Sequence, residues 1–319
     1  KKIAEKFNTN HHEIKLTPSH FLSELEPALN AMDHPGGDGP NTYIVSKATK
    51  NAGITVALSG IGGDELFAGY ANFKRLHSLQ NKWLLKATPG FILKAGGFAL
   101  KQSKKSISNY KIAEILSHDK FDLKEMYPLS RSVFTSKELN KIISSSNGSN
   151  KLKELIKEVK LNPTKILSAI SCMEIKSYLL NVLLRDTDQM SMAVALEVRE
   201  PFLDYKLTEF VLGISDEYKM PVTPKKLLTD SVGDLIPNDI INRPKMGFTL
   251  PWQHWLKNEL KNFCTKNIEG LENKKLLNEG AAMELWNRFL NNDPLITWSR
   301  VWHLIVLNHW LDSNKINCN

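Results

Sequence analysis

Three short stretches of the 319-residue chain carry residues whose types and spacing suit chemistry. The first runs Leu58-Ser59-Gly60-Ile61-Gly62-Gly63-Asp64-Glu65-Leu66-Phe67-Ala68-Gly69-Tyr70. Glycines let a backbone approach a phosphate with no Cβ in the way, and the N-terminus of a following helix offers free N–H groups to an anion. Asp64 and Glu65 suit Mg²⁺ shared between a carboxylate and phosphate oxygens better than direct contact with phosphate. The competing reading is a tight turn into a helix with an acidic first turn, which the helix dipole also favours. The spacing is not Gly-x-Gly-x-x-Gly, because Glu65 stands where the third glycine belongs, and no Gly-x-x-x-x-Gly-Lys-Ser/Thr occurs anywhere.

The second stretch is Leu183 to Met192 followed by Leu196 to Asp204, in which an apolar helical pattern runs into Arg185, Asp186 and Asp188, then Glu197, Arg199 and Asp204. Buried charges must be paired, so Glu197 with Arg199, or Arg185 with Asp188, read as internal ion pairs as readily as ligands. The third is Arg243-Pro244-Lys245-Met246-Gly247-Phe248-Thr249. Met246 and Phe248 are unusual in a surface loop, and Lys245 suits a point-charge clamp on phosphate. His11-His12-Glu13 lacks the Pro-Cys-x-x-Cys partner of a deaminase zinc site, and Cys172, Cys264 and Cys318 are too far apart for a Cys-x-x-Cys metal or redox site.

The elements that must hold these residues follow from periodicity. Ile14 to Thr17 reads as a short strand, and Thr17 before Pro18 as cap and first turn of a helix with Phe21, Leu22, Leu25, Ala28, Leu29 and Met32 on one face. A helix from about Pro40 to Ala52 ends before Gly53. Ile54 to Leu58 is a continuous apolar run expected of a strand buried on both faces. This is an α/β rhythm, and the glycine loop then lies at the carboxyl end of a strand, where open α/β sheets bind ligands. After Leu76 only helices are expected: Lys151–Lys160, a long buried helix from Thr164 to about Leu184, and helices opened by Pro224, Pro251 and Pro294. Ser144 to Asn150 reads as an exposed loop or disordered tip. The expected division is a remnant of a nucleotide-binding core over 1–76, a basic helical insertion over 77–160 and a helical remainder over 161–319.

Composition is globular, with 42% apolar and 24% charged residues, and no uninterrupted apolar run reaches the roughly 18 residues of a membrane span. A cytoplasmic protein is the expectation. Net charge is +8, and the segment Leu66 to Ala113 holds nine lysines and arginines with no Asp or Glu. The reading preferred for it is a solvated lysine-rich helical face, with neither nucleic acid nor a membrane surface expected as partner. A basic amphipathic surface helix is the alternative. The opening Lys1, already inside an amphipathic pattern, suggests a piece of a longer chain.

The three stretches resemble, in order and spacing, the synthetase domain of glutamine-dependent asparagine synthetases. Ser59 to Tyr70 is similar to that family's Ser-Gly-x-Gly-Gly/Ser-Asp-Glu-x-Phe-x-Gly-Tyr motif. Asp188 to Asp204 resembles its Asp-Arg-Met-Ser-Met…Leu-Glu-Val-Arg-x-Pro-Phe-Leu-Asp run, and Arg243 to Phe248 its Arg-x-Lys-x-Gly-Phe loop. The resemblance implies an adenine nucleotide alpha hydrolase-like parallel sheet, truncated at its N-terminal side, joined to a largely helical C-terminal body. It implies adenylation of an aspartate side chain by ATP with Mg²⁺, then displacement of AMP by ammonia from glutamine. A glutaminase domain would complete the chain, and a homodimer is left open. By the same match Asp64 would hold Mg²⁺ and pyrophosphate. Leu58, Ser59, Gly60, Gly62 and Gly63 would line the nucleotide, and Lys245 would neutralise the leaving pyrophosphate. Asp38, Thr42, Glu65 and Asp186 would face the acceptor, although Asp38 also reads as the cap of the helix at Pro40. Several features depart from the family: the Ser-Gly-Gly-x-Asp-Ser loop is absent, and Ile61 stands where relatives can carry proton-transferring residues. Asn181-Val182 likewise replaces acidic residues. Another carboxylate, such as a sugar acid, and a catalytically silent scaffold are the alternatives.

Overall fold

The structure, a computed structural model, describes all residues except 82–87, 119–121, 144–150, 163, 220–222, 244–249 and 317–319. Trp83 to Leu85, the serine-rich stretch from Ser144, Lys245 with most of its loop, and Cys318 therefore lie outside the described residues. The elements used below are α1 (Pro18–Asn30), α2 (Gly39–Asn51), β1 (Val56–Leu58), α3 (Gly63–Leu66), α4 (Ala71–Asn81), α5 (Gly90–Ser103), α6 (Ile107–Ser117), α7 (Leu123–Arg131), α8 (Ile166–Met192), β2 (Glu197–Arg199), α9 (Tyr205–Gly213) and α10 (Trp298–Ser313). The protein is thus α/β and mostly helical, with one small parallel sheet.

The described residues form two compact units. The first draws on Lys1–Asp33, Asp38–Tyr70 and Asn162–Thr249, the second on His34–Gly37, Ala71–Leu161 and Leu250–Asn319. In the first, Thr17 caps α1 by accepting from His20 N–H at 3.2 Å, as its position before Pro18 predicts. Phe21, Leu25, Ala28 and Leu29 are buried on one face. β1 pairs in parallel with β2, Ala57 opposite Val198, and the ladder is continued by Ser59 N–H donating to Arg199 O at 2.8 Å.

Several expectations are corrected here. Ile14 to Thr17 is extended chain without a ladder, and no strand pairs with it among the described residues. The expectation of helices only after Leu76 misses β2, whose three residues alternate charge, valine, charge. β1 is covered on one face only: Ala57 and Val198 turn inward, whereas Val56 and Leu58 point outward and Leu58 is 74% exposed. A strand is buried on both faces only where helices cover both, and among the described residues only one side of this pair is covered. The chain expected as one helix from Pro251 to Phe263 is two, Trp252–Lys257 and Lys261–Asn273, broken at Asn258 with φ −122° and ψ −92°.

α8 extends eight residues past its expected end at Leu184, and its central turns, Ile175–Leu183, are a π-helix. A π turn widens the spiral and weakens the usual ladder. Within it the Asn181 Nδ2 donates to Lys176 O at 3.1 Å and Ser177 O at 2.8 Å. By length and composition α8 is the one described helix apolar enough to cross a membrane, but half of it is buried in the protein, and Glu174 and Asp186 lie in that interior. It packs against α2 and positions the residues that follow.

The second unit is a helical body built round tryptophans. Trp252, Trp255, Trp286 and Trp302 are buried, and the Trp252 and Trp302 rings meet at 4.6 Å. Arg300, buried at the start of α10, donates to both carboxylate oxygens of Glu138, at 2.7 and 3.3 Å, and holds that carboxyl below its ordinary pKa. A fork-to-fork pair of this kind is how a guanidinium is accommodated inside a protein.

Candidate functional site

The glycine loop leaves the carboxyl end of β1 and turns within four residues into α3, with Gly63 N–H donating to Gly60 O at 3.2 Å. The turn depends on Gly62, whose φ of +92° is left-handed and whose Cβ, if it had one, would stand 2.4 Å from Leu203 Cδ2. Leu66 and Phe67 anchor the loop from below, packed with Val211 of α9, Phe202 and Leu207. The Phe67 and Phe202 rings meet edge to face at 5.9 Å.

The two acidic residues of the loop diverge. Glu65 is 1% exposed and faces inward: Oε2 accepts from Gly62 N–H at 3.1 Å, Oε1 from the Tyr70 hydroxyl at 2.6 Å. It closes the first turn of α3 in the manner of a capping-box carboxylate. Burial and the Glu65 carboxylate push the Tyr70 hydroxyl pKa far above its ordinary value, so Tyr70 stays a donor. Asp64 is half-buried, with Oδ1 3.2 Å from Lys225 Nζ. Gly69 makes room for that pair, since a Cβ there would lie 1.9 Å from Asp64 Oδ1 and 2.8 Å from Lys225 Cε. Lys225 is brought in by a left-handed residue conformation, φ 59°, and by its N–H donating to Phe67 O at 3.1 Å.

Beside the loop and the sheet a cavity of about 380 Å³ opens. Leu58, Ser59 and Ile61 line it from β1 and the loop, Asn41, Thr42, Val45, Ser46 and Thr49 from α2, Thr187 from α8, and Val198 from β2. Its walls are apolar with hydroxyls between them, and among the described residues no charged side chain lines it. The Asn41 Oδ1 atom is shielded and accepts no hydrogen bond. A second cavity of about 200 Å³ shares Thr187 and Val198 with it and is lined also by Asp188, Glu197 and Glu200. There burial and the neighbouring Asp188 push the Glu200 carboxyl above its usual range.

Of the residues singled out in sequence, Leu58, Ser59 and Thr42 meet at one cavity, with Ile61. Gly60, Gly62 and Gly63 form the turn beside it, and Asp64 stands with Lys225. Asp38 occupies the N-cap position of α2, is exposed, and makes no side-chain cap hydrogen bond, so the capping expectation holds in position only. Asp186 is buried in α8, its Oδ1 accepting from Gln189 Nε2 at 3.3 Å. The ion pairs expected inside are on the surface instead: Glu197 with Arg199 at 2.7 Å, both more than half exposed, and Arg185 with Asp33 rather than Asp188, at 3.5 Å. The Glu197–Arg199 pair lies outside because β2 presents its charged residues to the uncovered face of the sheet. Asp204 caps α9, accepting from Leu207 N–H at 3.1 Å. Sequence reasoning missed Lys225, Thr187 and Asn41. Only the position of Asn41 beside Asp38 and Thr42 hinted at any of them.

A parallel strand pair with a glycine loop at its carboxyl end, and a cavity where that loop meets a helix, define an α/β protein with its cavity at the strand ends, where open α/β sheets place ligands. The sequence profile of the asparagine synthase family matches residues 1–312, and the chain belongs to that family. It is 24% identical over 305 residues to asparagine synthetase [glutamine-hydrolyzing] 1 of Bacillus subtilis, covering 94% of this chain and 47% of that protein. Asparagine synthetase [glutamine-hydrolyzing] 3 of the same organism is 23% identical over 99% of this chain and 48% of its own length. Amidase chyE of Penicillium rubens is 25% identical over 89% and 46%. The chain spans about half the length of the curated relatives it matches.

Proposed function

We propose that this chain is the ATP-using, amide-forming portion of a glutamine-dependent ligase of the asparagine synthetase type, with an adenine nucleotide alpha hydrolase-like core. The observation that carries the reading is the cavity beside the glycine loop. Apolar walls from Val45, Leu58, Ile61 and Val198 suit the faces of a flat base, and the hydroxyl residues Thr42, Thr49 and Ser59 among them offer polar partners for its edge. Adenine has both features. Ser59 and the backbone of Gly60, Gly62 and Gly63 would then run beside the phosphates.

Among the described residues no three His, Cys, Asp or Glu side chains converge as a metal site. Asp64 alone fits the mode in which Mg²⁺ is held by one carboxylate and by substrate phosphates. Bound so, Mg²⁺ would supply charge neutralisation to the pyrophosphate. Lys225, held 3.2 Å from Asp64, would orient that carboxylate, and Lys245 would meet the leaving pyrophosphate from its loop. A carboxylate oxygen of the acceptor attacks the α-phosphorus of ATP and pyrophosphate leaves; ammonia then attacks the acyl carbon and AMP leaves. The acceptor would be aspartate, met by Thr42, Asp38 and Asp186. A glutaminase domain elsewhere in the longer protein would deliver the ammonia, in the cytoplasm. Ile61 in the cavity wall favours a second reading, since isoleucine transfers no proton: the same chemistry on another acid, such as a sugar acid.

The test is AMP and pyrophosphate release from Mg·ATP by the full-length protein with glutamine, with and without aspartate. Aspartate-dependent AMP is expected. AMP formed only with another acid selects the second reading, and none with any acid overturns both. Lys245→Ala should lower turnover roughly 10² to 10³-fold, about 2.7 to 4 kcal/mol in the barrier. A near-normal rate removes Lys245 from the mechanism.

A further inference from the structure

Helix α5 has two apolar faces, and the protein covers one of them. Leu93 and Gly97 are buried and Leu100 is half-buried where α5 packs on α6, with Gly97 close to the backbone of Ala113. The opposite face carries Phe91, Ala95, Phe98 and Ala99 at spacings of i, i+4, i+7 and i+8, with Ile92 beside them. Phe91 is 73% exposed, Phe98 66% and Ile92 49%. Single exposed apolar residues are ordinary, but two phenylalanines and an isoleucine aligned on one uncovered stripe are not. Lys94 and Lys101 follow one border of the stripe, and Lys104 and Lys105 stand at its C-terminal end. The Lys101 ammonium lies over the Tyr110 ring at 5.4 Å. No Asp or Glu occurs anywhere from Leu66 to Ala113.

We propose that α5 is an interfacial helix that docks the protein onto an anionic lipid surface, its phenylalanines entering the acyl boundary and its lysines meeting headgroup phosphates. Apolar stripe and basic border on one helix are the two requirements for lying in a membrane interface, and lysine stems reach along apolar surface to place their charge in the headgroup layer. The apolar stripe separates this occupant from duplex nucleic acid, whose phosphates reward cations and hydrogen-bond donors but offer nothing to exposed phenylalanines. Charge separates it from a second copy of the chain, because pairing two such faces would bring Lys94, Lys101, Lys104 and Lys105 of each copy together. The inference is independent of the reading of the nucleotide cavity. It also revises the weight given to a solvated lysine face, since periodicity alone does not tell which of two apolar faces has a partner.

The test is sedimentation of the full chain with phosphatidylcholine vesicles, with and without phosphatidylglycerol, at low and at physiological salt. Binding is expected only with phosphatidylglycerol, weakening as salt rises. Phe91→Ser with Phe98→Ser replaces exposed side chains only, so circular dichroism and melting should be unchanged while the partition coefficient falls roughly a hundredfold. Lys94→Gln with Lys101→Gln should lower it about tenfold or more. Absence of binding to anionic vesicles at low salt overturns the proposal, as does undiminished binding of the serine variant. Duplex DNA binding that survives the serine substitutions, without vesicle binding, assigns the face to nucleic acid. Self-association abolished by them, again without vesicle binding, assigns it to a second copy.

Discussion

Alanine at position 69 and alanine at position 62 ask different questions of the same loop. At Gly69 the new methyl would meet the ends of two flexible side chains, Asp64 Oδ1 at 1.9 Å and Lys225 Cε at 2.8 Å, which can swing aside. We expect Gly69→Ala to keep stability within about 1 kcal/mol of the parent. Turnover in the AMP-release assay should fall about tenfold or more, because the carboxylate is displaced by roughly an ångström. At Gly62 the backbone itself is left-handed and the neighbour is the core side chain of Leu203, so Gly62→Ala should cost about 2 to 4 kcal/mol, read from the urea midpoint. If Gly69→Ala loses stability and keeps full turnover, Asp64 has no part in the chemistry. The sequence singled out both acidic residues of this loop for the site, and it had no means to separate them. A carboxylate that reaches back to close its own helix and one that stays accessible are spelled alike, and only packing decides: Glu65 is enclosed with Tyr70, whereas Asp64 is partly exposed beside Lys225. Lys225 was illegible because its partner is far along the chain, and the left-handed turn that delivers it has no glycine to announce it.

The elements divide by whether their determinants are local. α1 and α2 were legible since a cap, an early proline and a periodic apolar face lie within a dozen residues of each other. β2 and the open face of β1 were not, because a parallel pair is made by residues distant in sequence, and a three-residue strand has no period to read. The wide turns of α8 were equally hidden. Asn181 lies in this π-helical stretch, and its amide donates to the carbonyls of Lys176 and Ser177 one turn back. An acid there would set two carboxylate oxygens against two carbonyl oxygens. Because Asn181 is exposed and a carboxylate there can turn to water, Asn181→Asp and Asn181→Ala are each expected to destabilise the protein by about 0.5 to 1 kcal/mol in urea unfolding. If the aspartate variant is as stable as the parent and more active, the amide is serving as a substitute for a catalytic acid, and the structural role assigned to it is wrong.

Over the whole molecule the basic excess reaches inward as well as outward, and that gives stability a definite course with pH. Lys219 in the first unit is buried, donating to Ser168 Oγ at 2.6 Å, and its pKa is pushed down to about 8 by burial, against the opposing pull of Asp216. Lys111 in the second donates to Ser130 O at 3.0 Å and is likewise lowered to about 8, by burial and then by Arg300, Arg75 and Arg131. In the unfolded chain both titrate near 10.5. Below pH 8 both states carry the charge and the cost of burying it is fully felt. As pH rises past 8 the folded protein sheds these protons while the unfolded chain keeps them, so stability increases. The buried thiol of Cys264 acts in the other direction, because burial raises its pKa from 9.0 to about 12, so the unfolded chain ionises first. Stability is therefore expected to climb between about pH 8 and 9 and to be checked above that. The measurement is the urea midpoint across this range at constant ionic strength. Lys219→Met together with Lys111→Met should remove the rise and leave the parent less stable than the variant near pH 7, since an apolar side chain replaces a charge the interior does not welcome. A rise of unchanged steepness in the double variant would mean that groups other than these two lysines set the pH response.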